Sequence, residues 1–289
     1  MTAPCPAALA SLPDAVARAV RGVLTDIDDT LTAEGTIAPE ALAALAELRA
    51  AGVPVIAVTG RPKGWSEPFA RDWPVEAIVA ENGAVALFRA EARRAVDPDD
   101  DAHATPTGAG RSGAELVVEY AQDEATRRRN AIRLQAAAAR VLREVPGSRL
   151  AADSAGRVTD IAVDHSEFAH LPPERIAEVV AVMREEGMNA TVSSIHVNGW
   201  YGDHDKLSGA RWIVRRRLGR DLDAETAHWV YVGDSTNDQQ MFGHFPLSVG
   251  VANLMRFAAE LTVWPRYLTR GERGAGFVEV ARRLLEARR

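Results

Sequence analysis

Short apolar runs ending in polar residues alternate with segments of helical period at both ends of the chain. In "GVLTDI", Gly22 to Ile27, the apolar residues stand together rather than at helical spacing, which predicts a strand buried on both faces. In "APEALAALAELRAAG", Leu42, Leu45 and Leu48 share one face, Pro39 stands near the start and Gly52 at the end, which predicts a punctuated helix. "VPVIAVTG" and "EAIVAENG" repeat the strand pattern. Strand, helix, strand, segment, strand implies right-handed crossovers and a mostly parallel sheet. Ligands of such sheets gather at the carboxyl ends of the strands, where Asp26, Thr59 and Asn82 fall.

The pattern changes in the middle. Asp97 to Gly113 is rich in turn formers and reads as a loop. Beyond it "AELVVEYA" predicts a strand, Asp123 to Glu144 a long helix, and "RVTDIAVDH" a strand. Pro172 to Glu186 predicts a second helix and "NATVSSIHVN" one further strand. This block, 84–200, holds enough elements for a small α+β domain of its own. The last part returns to the first pattern, with a helix in "DKLSGARWIVRRRLG", strands in "AHWVYVGD" and "FPLSVGVAN", and an amphipathic helix in "GAGFVEVARRLLEARR". The expected architecture is one α/β core from residues 1–83 and 201–289, with 84–200 inserted.

Composition narrows the classes. The 289 residues are 47% hydrophobic and 26% charged, which fits a globular chain rather than a disordered one. A net charge of −6 argues against a nucleic-acid partner. No stretch approaches the roughly 20 apolar residues that cross a bilayer, and no secretory signal is evident. With Cys5 as its single cysteine the chain is expected to be soluble and cytoplasmic, a monomer or homodimer.

Four polar sites stand at strand ends or helix starts of the expected core: Asp26 with Asp28 in "DIDDT", Thr59 in "VTGR", Lys206 in "DKLSGA", and Asp234 to Asp238 in "GDSTND". In this order they resemble the four motifs of the haloacid dehalogenase superfamily of phosphohydrolases. The resemblance implies a Rossmann-like three-layer core with a mostly parallel sheet and an inserted α+β cap. It also implies Mg²⁺-dependent hydrolysis of a phosphate monoester through an aspartyl-phosphate. By the same resemblance Asp26 is the nucleophile, while Asp28 offers its backbone carbonyl to the metal and its side chain as acid and base. Thr59, Gly60 and Asn237 bind phosphate, and Lys206 offsets the charge of Asp26 and phosphate. Asp234 ligates the metal with Asp238 in support. The chemistry agrees with this: anionic phosphate oxygens repel a nucleophile, and clustered carboxylates worsen that unless a divalent cation sits among them. Asp26, Asp28 and Asp234 offer the hard oxygens that Mg²⁺ prefers.

The family usually has glycine after the second aspartate, where this chain has Asp29. Thr59 follows Asp26 by 33 positions, room for a small flap only, and Lys206 follows Thr59 by 147, so the extra domain lies between the second and third motifs. That placement, with "AENGA" at Ala80 to Ala84, resembles the Cof-type branch (class IIB), which includes sucrose-phosphate phosphatase, mannosylphosphoglycerate phosphatase and phosphomannomutase relatives. A phosphorylated sugar or related small metabolite is the substrate so implied. A phosphomutase of the same fold and a non-catalytic regulatory or binding protein are the alternatives.

Each motif alone has a plainer reading: aspartates cap helices and favour turns, and a lone lysine is usually solvated. Arg61, Asn82 and His196, with Asn198, are further candidates to touch substrate, with local structural roles as the alternative. "RRRN" with Arg133 reads first as a solvated helix face, Asp203–His204–Asp205 as a polar linker, and Trp212 and Trp229 as core.

Overall fold

The computed structural model describes residues 6–90 and 115–289; Cys5 and the turn-rich stretch Asp97 to Gly113 lie outside the described residues. In chain order the strands are β1 Ala7–Ala8, β2 Gly22–Thr25, β3 Thr32–Ala33, β4 Thr36–Ile37, β5 Val55–Val58, β6 Ala77–Ala80, β7 Val85–Arg89, β8 Leu116–Tyr120, β9 Asp160–Asp164, β10 Asn189–Val192, β11 His196–Trp200, β12 Trp229–Gly233, β13 Leu247–Gly250 and β14 Tyr267–Leu268. The helices are α1 Asp14–Ala19, α2 Pro39–Ala50, α3 Lys63–Asp72, α4 Glu124–Glu144, α5 Pro173–Glu185, α6 Lys206–Leu218, α7 Gln239–His244 and α8 Arg273–Glu286.

Nine strands form one sheet in the order β1-β14-β13-β12-β2-β5-β6-β7-β8. Pairing is parallel from β1 through β6, and β7 and β8 complete one edge antiparallel. β2 is central, with Val23 opposite both Val230 of β12 and Val55 of β5. Successive side chains take opposite faces. Val23, Val55 and Val230 pack with Leu45 and Leu48 of α2 and Phe277 of α8. Leu24, Ile56 and Tyr231 pack on the other side with Ile213 of α6 and Phe242 of α7. Helices therefore cover both faces in a Rossmann-like, three-layer α/β arrangement, and burial on both faces explains why these strands read as unbroken apolar runs. Trp229 is fully buried and Trp212 packs at the edge of the same cluster.

A smaller unit carries a separate antiparallel sheet in the order β10-β11-β9, with α4 and α5 on one face. Val163 and Val197 face Val141 of α4 and Met183 of α5. The alternate positions Asp160, His196 and Asn198 are also buried, and Asp160 and Asn198 contact the large unit. Between β2 and α2 a two-stranded hairpin, β3 with β4, fills the interval that leaves room for a flap.

Two expectations change. β8, expected in the inserted block that starts at residue 84, extends the large sheet instead, through β7, a strand the sequence reading did not identify: Ala80 pairs with Val85, and Val85 with Tyr120. An alternating apolar run identifies a strand but not the sheet that receives it. The smaller unit thus starts after Tyr120 rather than after Gly83. "NATVSSIHVN", expected as one strand, is a hairpin in which Val192 faces Val197. The Ser193 hydroxyl accepts the His196 N–H at 3.0 Å, the turn chemistry that divides the run. Among the described residues no helix is long and apolar enough to cross a membrane.

Candidate active site

Asp26 lies one residue beyond β2 and Asp234 one beyond the adjacent β12; the Asp26 N–H donates to Val232 O at 2.9 Å. Lys206 opens α6, whose first turn is fixed by a reciprocal cap between Asp205 and Ser208. That turn is pressed against Gly83, which has φ +107°, and a Cβ on Gly83 would fall on the Asp205 carbonyl. Backbone contact of this kind sets where the lysine starts. From there Nζ donates to Asp26 Oδ1 at 2.6 Å and to Asp238 Oδ1 at 2.7 Å.

Asp238 has no idle oxygen. Its Oδ1 also accepts from the Tyr231 hydroxyl, and its Oδ2 accepts the N–H groups of Asp234 and Ser235 at 2.9 and 3.1 Å. A Cβ on Gly233 would stand 2.5 Å from that carboxylate, so glycine is needed to let it in. Asp238 therefore positions the loop and the lysine. Asp234 is held more loosely, by the Thr30 hydroxyl and the Asn253 amide, each at 3.3 Å.

Oxygens of Asp26, Asp234 and Asp238 lie within 4.8 Å of one another. Burial pushes the Asp26 carboxyl up to about 8, against the pull of Lys206. Burial, with repulsion from Asp26 and Asp238, holds Asp234 well above the carboxylate range. Burial works against the Lys206 ammonium, but Asp238 and Asp26 more than offset it and raise its pKa. With one ammonium shared by Asp26 and Asp238, the remaining charge of Asp26 and Asp234 fits a divalent cation, and their all-oxygen donor set fits a hard one such as Mg²⁺.

Asp28 points elsewhere. Both its oxygens accept from Arg61 Nε at 3.0 Å, and its carboxylate is outside that acidic group. Burial raises the Asp28 carboxyl, with Arg61 opposing. Arg61 also reaches the smaller unit, donating to Asp153 at 3.2 Å and Glu167 at 2.8 Å; His196 Nε2 lies 2.8 Å from Glu167. Burial would lift Glu167, but its bonds from His196 and Arg61 win and bring it to about 2. Arg157 binds Asp160 at 2.9 Å, Asp153 at 3.0 Å and the Gly60 carbonyl at 2.9 Å.

A narrow, largely enclosed chamber of about 10 Å³ is bounded by Asp26, Asp28, Gly60, Arg61 and Asn237 below and by Ser193, Ser194, His196 and Asn198 of the smaller unit above. That is about the space of one water. Thr59 is fully buried at the end of β5, where its hydroxyl accepts the Arg61 N–H at 3.0 Å. Asn82 stands apart from the chamber: its N–H donates to Thr59 O, and its amide reaches Asp160 at 3.4 Å. Arg127 and Arg133 lie over the Tyr120 and Tyr201 rings, beside the two chain crossings between the units.

Asp29 has φ +54°, a left-handed conformation that glycine adopts freely and aspartate tolerates. This is the physical reason glycine is usual there. The Asp29 carbonyl accepts from Asn253 at 2.9 Å, and its carboxylate lies 2.8 Å from Arg273 Nε. Sequence reasoning missed Asp153, Glu167, Asn253 and Arg273. Asn253 was accessible by the same signal as Asn82, a polar residue just past an apolar strand run; the others show no local signal.

Residues 23–99 match the family model described as haloacid dehalogenase-like hydrolase. No curated protein matches the chain in sequence. Its fold is similar to the sucrose-phosphatase from Synechocystis sp. solved with sucrose and phosphate, at 14% identity and TM-score 0.59, covering 92% of this chain and 98% of that one. A putative HAD/COF-like hydrolase from Plasmodium vivax is similar at 13% identity and TM-score 0.63, covering 93% and 96%. The HAD subclass IIB sugar phosphatase BT4131 is similar at 15% identity and TM-score 0.56, covering 93% and 100%. Residues 23–99 thus carry the pattern of a haloacid dehalogenase-like hydrolase, and nine-tenths of the chain shares the fold of the solved structures above.

Proposed function

We propose that the protein hydrolyses a phosphate monoester of a sugar or related small metabolite through an aspartyl-phosphate at Asp26. One observation carries this: a buried Lys206 ammonium bridges Asp26 and Asp238 at 2.6 and 2.7 Å, which fixes one carboxylate as an attacking group amid like charges. An Asp26 oxygen attacks phosphorus, the bond to the ester oxygen breaks, and that oxygen takes a proton from Asp28. Asp28 then takes a proton from water as the water attacks the phosphoaspartate, which frees phosphate and restores the Asp26 carboxylate. Thr59, Gly60, Asn237 and Lys206 hold the phosphoryl oxygens. Mg²⁺, held by Asp26, Asp234 and the Asp28 carbonyl, would supply charge neutralisation for those oxygens.

A chamber the size of one water does not admit a phosphoryl group, so the smaller unit acts as a cap that separates to load substrate and closes to exclude solvent. The sugar-phosphate class is supported by the sugar phosphatases among the similar folds. The test is phosphate release from p-nitrophenyl phosphate and a panel of sugar phosphates with Mg²⁺. Asp26→Asn is expected to lower it by about a thousandfold or more while the fold persists; near wild-type release would remove Asp26 from its role.

A further inference from the structure

Beside the chamber lies a second cavity of about 420 Å³, within the range of small-molecule sites. Asp28 and Arg61 line both, so a monoester with its phosphorus at Asp26 has this space next to it for the leaving group. Among the described residues its walls carry the carboxylates of Asp28, Asp29, Glu34 and Glu167 against two guanidiniums, Arg61 and Arg273. Both guanidiniums already face carboxylates. Arg61 is shared among Asp28, Asp153 and Glu167, and Arg273 lies against Asp29. Glu34 stands exposed on the flap hairpin.

The cavity also borders Phe168, which is 69% exposed. Its loop is set in advance: the Asp164 carboxylate accepts the N–H groups of Glu167, Phe168 and Ala169 at 2.9, 3.0 and 3.0 Å. A rigid loop therefore holds an aromatic face toward solvent at the edge of an acceptor-rich cavity.

We propose that this cavity is the leaving-group subsite, and that it takes an uncharged, hydroxyl-bearing ring while rejecting leaving groups that carry a carboxylate or a second phosphate. The inference rests on the phosphatase reading. Hydroxyls donate to the wall carboxylates, and the C–H face of the ring lies on Phe168. Among the described residues an added anion meets four wall carboxylates against two guanidiniums that already face acids, an excess of like charge.

The experiment compares kcat/KM within matched pairs that differ by one carboxylate: glucose 1-phosphate against glucuronic acid 1-phosphate, and glycerol 3-phosphate against 3-phosphoglycerate. The neutral member is expected to lead by at least about tenfold, Glu34→Lys to shrink that ratio severalfold, and Phe168→Ala to raise KM for the neutral sugar phosphate about fivefold. Equal or reversed preference within the pairs overturns the inference. So does turnover of p-nitrophenyl phosphate with none of either neutral ester, an outcome that leaves the phosphatase reading standing. Absence of phosphate release from every ester, p-nitrophenyl phosphate included, sinks that reading and the inference with it.

Discussion

Two buried ionic clusters lie a few residues apart, one around Lys206 and one along the seam between the units. In the seam each of Asp28, Asp153, Asp160 and Glu167 touches a guanidinium of Arg61 or Arg157. In the other, one ammonium serves Asp26 and Asp238, and Asp234 meets no cation among the described residues. The consequences are opposite in sign. Glu167 is brought down to about 2, whereas Asp234 is driven well above its ordinary range. Buried charge that is paired fastens two pieces of structure together; buried charge left in excess is a demand for a cation.

The comparison breaks first at Lys206. Lys206→Met removes the ammonium that the core cluster shares and is expected to lower phosphate release by two to three orders of magnitude, about 3–4 kcal/mol of barrier. Steady-state rates at saturating Mg²⁺ check it, and a loss below tenfold would mean the cluster does not depend on its lysine. Next comes the seam. Arg157→Met leaves Asp160 buried without its guanidinium, for which burial already holds the carboxyl up at about 6. The expected cost is about 3–5 kcal/mol, read from denaturant midpoints. A change under about 1 kcal/mol would show that the seam is not a fastening.

A smaller effect concerns pH. The Glu167 pKa falls from 4.5 to about 2 on folding, so its contribution is complete above pH 4.5 and disappears as pH falls from there toward 2. Thermal melts of wild type should lose stability over that window more steeply than those of Glu167→Gln; parallel curves would count against the pairing. Smallest is Asp29→Gly, which relieves a left-handed φ but gives up the contact with Arg273. The two terms oppose each other, and the net change in the unfolding midpoint should correspond to under about 1 kcal/mol. A loss above about 2 kcal/mol would show that the ion pair dominates.

The core cluster was legible in the sequence because its members occupy strand ends and helix starts, where the apolar pattern announces the element and the polar residue after it stands out. Asp26, Thr59, Lys206 and Asp234 all have that address. The seam was not legible. Asp153 and Glu167 sit in loops of the smaller unit, and only the docking of that unit gives their charges partners. The same limit applies to β8: its pattern identified a strand in "AELVVEYA" but carried nothing about which sheet edge it would join, and β7 was missed altogether. The hairpin at Ser193 was hidden because its two strands differ from one longer strand only by a serine-rich turn.

The order of the large sheet has a consequence for how the protein is made. β2, which leads into Asp26, lies between β5 and β12, and β12 is encoded some two hundred residues after it. On the ribosome one flank of β2 therefore stays unpaired while the whole smaller unit is synthesised, an open strand edge of the kind that invites association with other chains. Lys206, Asp234 and Asp238 emerge only after that unit, so the acidic cluster is completed late, and a nascent chain that stops short of β12 has Asp26 but neither Asp234 nor Asp238.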